Sequence, residues 1–426
     1  MMRPELGIKE AWSLPLPNFR NAAIFMTRFP SASIPWEPAE FVNMYAQNVA
    51  LIQKLAPDLV VVDPLYMTGM TAAQQLKVNW TVLAPNTIKD FAALHQPLGA
   101  GLWKYPVVGS GLPFRIPWSQ IPLNIGLTLV LVISVLRSKR QKEMTELLRH
   151  HVGDENLRLF TLAELGVVQP PPKGVRVLVG FSEDLDFPFA VMPSYITQCG
   201  PIVRYARQLT DVDAALEEWL SRGPTIYINL GTQLMMTPEQ GLEFAFALRE
   251  FLDAIESSSE YQVLWKLKQE GAKSKELSWE GEWKAVRDTL FSEMEADRVR
   301  ITSWIEADPC SILRSGHIVC SVHHGGANSH HEAIAAGVPQ VVLAGWIDCY
   351  DFASRVELNG VGLRANKTAA PRWKRAELAG ALKEVLLGER AATFKENARK
   401  LAEKHPEHAG RTKAAASLLR MLEQAH

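Results

Sequence analysis

Cysteine, excess charge and long apolar runs are all scarce in this chain, and each shortage excludes a class of protein. The four cysteines among 426 residues (Cys199, Cys310, Cys320 and Cys349) lie far apart with no CxxC spacing. That excludes a disulfide-stapled scaffold or a zinc ribbon, and it fits a reducing, cytoplasmic setting. A formal net charge of -1 gives no electrostatic case for nucleic acid, which calls for a basic face. The opening "MMRPELGIKEAWSLPLPNFRNA" has neither the apolar core of a signal peptide nor an Arg/Ser-rich transit pattern. It also lacks an opening β-strand, and no internal repeat is visible. The most apolar stretch, "IPLNIGLTLVLVISVL" (121–136), contains a proline and an asparagine and falls short of the roughly 20 apolar residues of a membrane span. A buried or pocket-lining helix is the ordinary reading. Peripheral membrane contact through 121–142, with the basic "RSKRQK" outward, is the alternative.

What is present is an ordinary globular composition, 47% hydrophobic and 21% charged, in a chain long enough for two domains. Apolar β-branched runs alternate with helical patterns, which predicts parallel α/β architecture. Strands are expected at 57–64, 80–85 and 175–182, then at 224–232, 261–268, 299–304, 317–322 and 339–345. The Gly-Pro pair in "QCGPIVRYARQLTDVD" marks the boundary, giving domains 1–203 and 204–426. The fold class is therefore α/β, two Rossmann-like domains facing a cleft, with ligands beyond the carboxyl ends of the strands.

"SVHHGGANSHHEAIAAGVPQ" (321–340) gathers four of the chain's eleven histidines within 323–331. Read as geometry it is a strand, a glycine turn and a helix starting near Asn328-Ser329. Gly325 and Gly326 permit positive φ and close approach, and the helix N-terminus offers free N–H groups to a phosphate. His324 and Asn328 add side-chain donors. A plain capping box, Ser329 with Glu332, explains the same residues structurally. A metal is the poorer reading, because Ile334 and Ala335 stand four residues beyond His330 and His331 and cannot complete a ligand pair.

Trp304, then His324-Gly325-Gly326-Ala327-Asn328-Ser329, Glu332, Gly337-Val338-Pro339 and Asp348 together resemble the donor signature of UDP-dependent glycosyltransferases. "IYINLGT" (226–232), "PDLVVVDP" and "CGP" fall where that family has its phosphate-loop strand, acceptor-domain strand and interdomain link. The resemblance covers about residues 40–426 and is nearest to fungal members acting on sterols or secondary metabolites. It implies a GT-B fold with the N-terminal domain incomplete by one βαβ unit, and metal-independent inverting transfer of a hexose, best guessed as glucose. The donor is a UDP-sugar co-substrate, and the acceptor a hydroxyl of a small lipophilic molecule.

Carried over residue by residue, the resemblance implies that Trp304 stacks on the uracil while the Ile305 backbone pairs its edge. His324, Asn328, Ser329 and Thr232 hold the diphosphate, with Gly326 allowing close approach. Glu332 accepts the ribose hydroxyls, and Asp348 with Cys349 meets the sugar. Ordinary alternatives are a core role for Trp304, a turn at Thr232, and an N-cap at Asp348. Cys349 departs from the family's glutamine, Ala327 from its tryptophan, and the glutamine expected soon after Trp304 is missing. Asp63 aligns with the aspartate that orients the family's general base, but could simply cap the turn before Pro64. The base itself, a histidine after the first strand, has no counterpart, and His95 in "LHQPLG" is only a weak substitute. A truncated or non-catalytic UDP-sugar-binding homologue is thus the second expectation, and a sugar-nucleotide epimerase a poorer third.

Overall fold

A computed structural model describes residues 14–423 apart from 17, 256–260 and 273–275. The absence of an opening strand was read on a stretch whose residues 1–13 lie outside the described ones. The chain divides into two compact units: residues up to Gly200 together with the C-terminal segment from Ala409, and Pro201–His408. The expected division at 203/204 assigned that last segment to the second domain.

Among the described residues of the first unit, two helices precede the first strand. Asn18 caps α1 (Phe19–Ala32) by accepting from the Asn21 N–H at 3.1 Å, and Glu37 and Glu40 form a capping box for α2 (Pro38–Leu55). Next come β1 (Val60–Val62), α3 (Met67–Gln75) and β2 (Trp80–Ala84). After α4 (Ile121–Leu136) and α5 (Lys139–Val152), β3 (Val177–Val179) and β4 (Ile196–Gln198) complete a parallel sheet in the order β1-β2-β3-β4. The short β4 carries too little apolar pattern to be expected.

Helix α4 is built against its composition. Its buried residues are Asn124, Leu127 and Thr128, while Leu129, Ile133 and Leu136 are exposed. Asn124 is inside because it is fully bonded: it accepts from the Val107 N–H at 2.9 Å and donates to the Leu102 and Tyr105 carbonyls at 2.8 and 2.8 Å. The reading of this segment as a buried helix is therefore corrected. By length and composition alone, the helical stretch Trp118–Val152 is also sufficient to cross a membrane.

The second unit holds a six-stranded parallel sheet in the order β10-β9-β8-β5-β6-β7. Its strands are β5 (Thr225–Asn229), β6 (Gln262–Lys266), β7 (Val299–Thr302), β8 (Ile318–His323), β9 (Gln340–Val342) and β10 (Gly362–Arg364). Both faces are buried, as parallel sheets require. Ile226, Ile228, Val263 and Trp265 enter one core with Phe244 and Phe251 of α6 (Pro238–Asp253); Tyr227, Leu264 and Ile318 enter the other. Three more helices bear on the site: α7 (Pro309–Leu313), α8 (Ala327–Ala336) and α9 (Cys349–Leu358). Then α10 (Arg375–Leu386) and α11 (Ala391–Lys404) finish this unit, and α12 (Ala409–Glu423) belongs to the first. The expected strands of this half all form; four stop short at their carboxyl ends, where the chain turns into loops, while β8 runs one residue further, to His323. Unexpected β10 needs Gly362, since a Cβ there would lie 1.8 Å from the Gln340 carbonyl oxygen.

Phe244 stacks on Trp265 with ring centroids 4.8 Å apart and meets Trp373 edge-on at 6.0 Å. Phe244→Ala should cost about 3–5 kcal/mol, read as a lowered urea midpoint; a loss below about 1 kcal/mol would mean this core does not hold the unit.

Candidate functional site

The carboxyl ends of β5, β6, β7 and β8 open onto a cavity of about 950 Å³ within the second unit. Its floor is the turn between β8 and α8. Gly325 has φ +87°, and a Cβ on it would press against the Cys349 carbonyl at 2.8 Å. Gly326 does not use positive φ, contrary to expectation: its φ is -70°, and a Cβ there would lie 2.5 Å from His324 Nε2. Gly231, at φ +81°, faces the same ring, and its Cβ would be 2.8 Å from His324 Cε1.

Helix α8 begins at Ala327, earlier than expected, with Gly326 as N-cap and no side-chain cap. Ser329 therefore sits inside the first turn and Glu332 a turn further in, so the capping box does not form. Gly326, Ala327, Asn328 and Ser329 all line the cavity. The first-turn N–H groups, which have no intrahelical acceptor, thus adjoin it and favour an anion.

Three of the clustered histidines are structural. His323 Nδ1 accepts the Gly325 N–H at 3.1 Å, so its Nε2 carries the proton and donates to Gln340 Oε1 at 2.9 Å. His330 Nδ1 donates to the same oxygen at 3.0 Å. His330 and His331 are fully buried against Phe352. Both face the interior of the second unit. His324 alone lines the cavity; Trp346 is its ring neighbour at 5.2 Å, and its Nδ1 has no hydrogen-bond partner among the described residues.

Glu332 also lines the cavity, where burial, and then the nearby Asp308 carboxylate, push its pKa up to about 7. Cys310 hydrogen-bonds it, and Arg204 pairs with Asp308 at 2.9 Å. The potential ligand atoms of Asp308, Cys310 and Glu332 lie within 4.8 Å of one another, close enough to hold a metal ion. Burial holds the Cys310 thiol protonated well above its usual range, so the trio as found is a hydrogen-bonded cluster.

Trp304 is 49% exposed at the cavity rim, which removes the core alternative, and Ile305 lines the cavity beside it. Thr232 lines it too, its carbonyl accepting from Lys268 Nζ at 2.6 Å. Asp348 and Cys349 are not among the lining residues. Asp348 is the N-cap residue of α9, and Cys349 is fully buried behind the Gly325 turn, so its thiol cannot meet a sugar. In the first unit, the exposed Asp63 accepts the Leu65 N–H at 2.8 Å, capping its own turn. His95 Nε2 donates to the Gly166 carbonyl at 2.6 Å, a structural bond. Sequence reasoning missed Arg204, Tyr227, Asn229, Lys266 and Trp346, all lining the cavity. Asn229 and Lys266 were visible as polar residues ending apolar strands.

The chain has the GT-B fold. Os79 from O. sativa, in complex with U2F and trichothecene, superposes with TM-score 0.57 at 15% identity, over 95% of this chain and 84% of that one. A UDP-glucose: anthocyanidin 3-O-glucosyltransferase in complex with UDP gives 0.57 at 18% identity, over 96% and 84%. Residues 291–421 match the model of the erythromycin biosynthesis protein CIII-like family, C-terminal domain. Glycosyltransferase sdnJ of Sordaria araneosa is 37% identical over 331 residues, 78% of this chain and 62% of that protein. UDP-glycosyltransferase 84A2 of Arabidopsis thaliana is 26% identical over 50% of this chain and 42% of that protein. The chain thus spans less than two thirds of the length of these two curated relatives.

Burial lowers the pKa of His323, His330 and His331 to about 3 and of His324 to about 4, so all four are neutral at pH 7. Their unfolded values lie near 6.5. As pH falls from about 6.5 towards 3 the unfolded chain binds more protons, and stability is lost. Glu332, raised in the fold, acts oppositely between about 7 and 4.5, but as one group against four. The melting temperature should therefore drop progressively from pH 6.5 to 5; a flat profile would contradict neutral buried imidazoles.

Proposed function

We propose that the protein transfers a hexose, glucose by preference, from a UDP-sugar to a hydroxyl of a small lipophilic acceptor, with inversion. The observation that carries this reading is the convergence on one cavity of a helix N-terminus without a side-chain cap, a His324 nitrogen unpartnered among the described residues, a half-exposed indole and a partly buried carboxylate. Each matches one part of a nucleoside diphosphate: the amides and His324 suit the diphosphate, Trp304 the base, and Glu332 the ribose diol. In the reaction the acceptor hydroxyl oxygen bonds the anomeric carbon while the bond from that carbon to the diphosphate breaks, and the hydroxyl proton is released to water. Charge then grows on the departing diphosphate, where the helix terminus and His324 stabilise it. The Sordaria and Arabidopsis relatives are likewise glycosyltransferases. Mannose is the alternative sugar, since an erythritol-mannosyl-transferase of Mycosarcoma maydis is 34% identical over 32% of this chain and 22% of its own length.

The test is incubation with UDP-glucose and other UDP-hexoses against phenols, sterols and fungal metabolites, with mass spectrometry for glycoside. Product is expected, with kcat/KM reduced about 100- to 1,000-fold in His324→Ala. UDP binding without product from any acceptor would favour the second reading, a donor-binding homologue without catalysis. Asp63 being spent on its own turn is the observation behind that alternative.

Ribose hydroxyls are bonded best by an ionised carboxylate, and the raised pKa of Glu332 puts its ionisation near pH 7. Affinity for UDP should therefore fall as pH drops below about 7, by at most tenfold per unit. Glu332→Gln should bind weakly and without that slope, as calorimetry at pH 6, 7 and 8 would show.

We also propose a cytoplasmic protein resting on a membrane surface through 121–142. The exposed side chains of Leu129, Ile133 and Leu136 beside Arg137 and Lys139 support it, as do four free cysteines for a reducing compartment. Co-sedimentation with anionic vesicles should be lost in Leu129→Glu/Ile133→Glu; no binding by the parent protein would remove the idea.

A further inference from the structure

Among the cavity residues that have no part in the reading above is one buried cation. Lys266 ends β6, in register with Asn229 of β5 on one side and Thr302 of β7 on the other. It therefore stands between the strand that leads into the Thr232 loop and the strand that leads to Trp304. The residue is only 8% exposed, yet it lines the cavity. Its Nζ lies 4.5 Å from the centroid of the Trp304 indole, and no hydrogen bond or carboxylate reaches it among the described residues.

An ammonium has three donors, and an indole face satisfies it only in part. Burying one without an acceptor is costly, so such groups usually neutralise or find a partner. Burial, with Lys268 adding to it, indeed pulls the Lys266 pKa down, which marks a cation short of compensation. The nearest Lys268 ammonium is already engaged with the Thr232 carbonyl. A nucleoside diphosphate would bring oxygen acceptors into this cavity.

We propose that Lys266 is a donor-binding residue, its ammonium passing from the Trp304 indole to an oxygen of the bound nucleotide. This rests on the UDP-sugar reading of the cavity. The acceptor is a carbonyl of the base, which uracil offers at its edge, or an oxygen of the diphosphate, which every nucleoside diphosphate offers.

Calorimetry of the full chain with UDP and with uridine, at low and high salt, tests it. Lys266→Met should weaken UDP at least tenfold, while Lys266→Arg stays within about threefold of the parent and Lys268→Met changes less. An equal loss for uridine places the contact on the base carbonyl. Loss confined to UDP, with a flatter salt dependence, places it on the diphosphate. Circular dichroism checks folding, and Lys266→Gln replaces the methionine variant if that one does not fold. Binding of both ligands by the neutral variant within twofold of the parent overturns the proposal. A parent protein that binds no UDP overturns this proposal and the donor reading together, whereas UDP binding with an unaffected Lys266 variant overturns this one alone.

Discussion

One amide oxygen organises the second unit's binding face. Gln340 Oε1, at the start of β9, receives N–H donors from both His323 and His330. The first histidine ends β8 and the second sits in α8, so one buried acceptor joins two strands and a helix. The remaining nitrogen of His323 takes the Gly325 N–H and thereby sets the turn. With the turn set, His324 faces the cavity and α8 starts early enough to leave its first amides uncapped. Buried hydrogen bonds of this kind add little net stability when made, but losing one partner leaves costly unpaired donors. Position, more than stability, is what the arrangement secures.

The histidine cluster shows how far the sequence could be read. Strand, turn and helix followed from apolar periodicity and the glycine pair, and so did the choice of His324 over its neighbours. The capping box was the wrong local expectation, because a one-turn difference in helix start decides whether Ser329 and Glu332 meet the backbone or the cavity. Helix starts depend on which residue is the last in extended φ/ψ, and here that is Gly326, with no side chain to announce it. Likewise, burial of His330 and His331 could not be seen, since their compensation comes from Gln340, ten residues from one of them, and from packing on α9.

Other residues escaped for related reasons. Lys266 and Arg204 face the cavity through tertiary placement, and neither belongs to a local motif. Cys349 occupies a position that the family resemblance assigned to sugar contact, yet its side chain turns inward to back the glycine turn. Helix α4 was misjudged because a 16-residue stretch so rich in Ile, Leu and Val normally predicts burial. Its single asparagine, with three backbone partners, outweighed them in choosing the inner face.

The glycines around His324 are not equivalent in their freedom to drift. Gly231 and Gly325 are fixed by backbone conformation, whatever surrounds them. Gly326 has an ordinary extended backbone and is held small only by the imidazole beside it. Its identity is therefore contingent on His324: once a lineage exchanged that histidine for a smaller residue, the constraint on position 326 would lapse. A side chain appearing there would then block the anion cradle. Loss of His324 would thus tend to be irreversible, and ancestry at this site is recorded in a pair of residues, not in one.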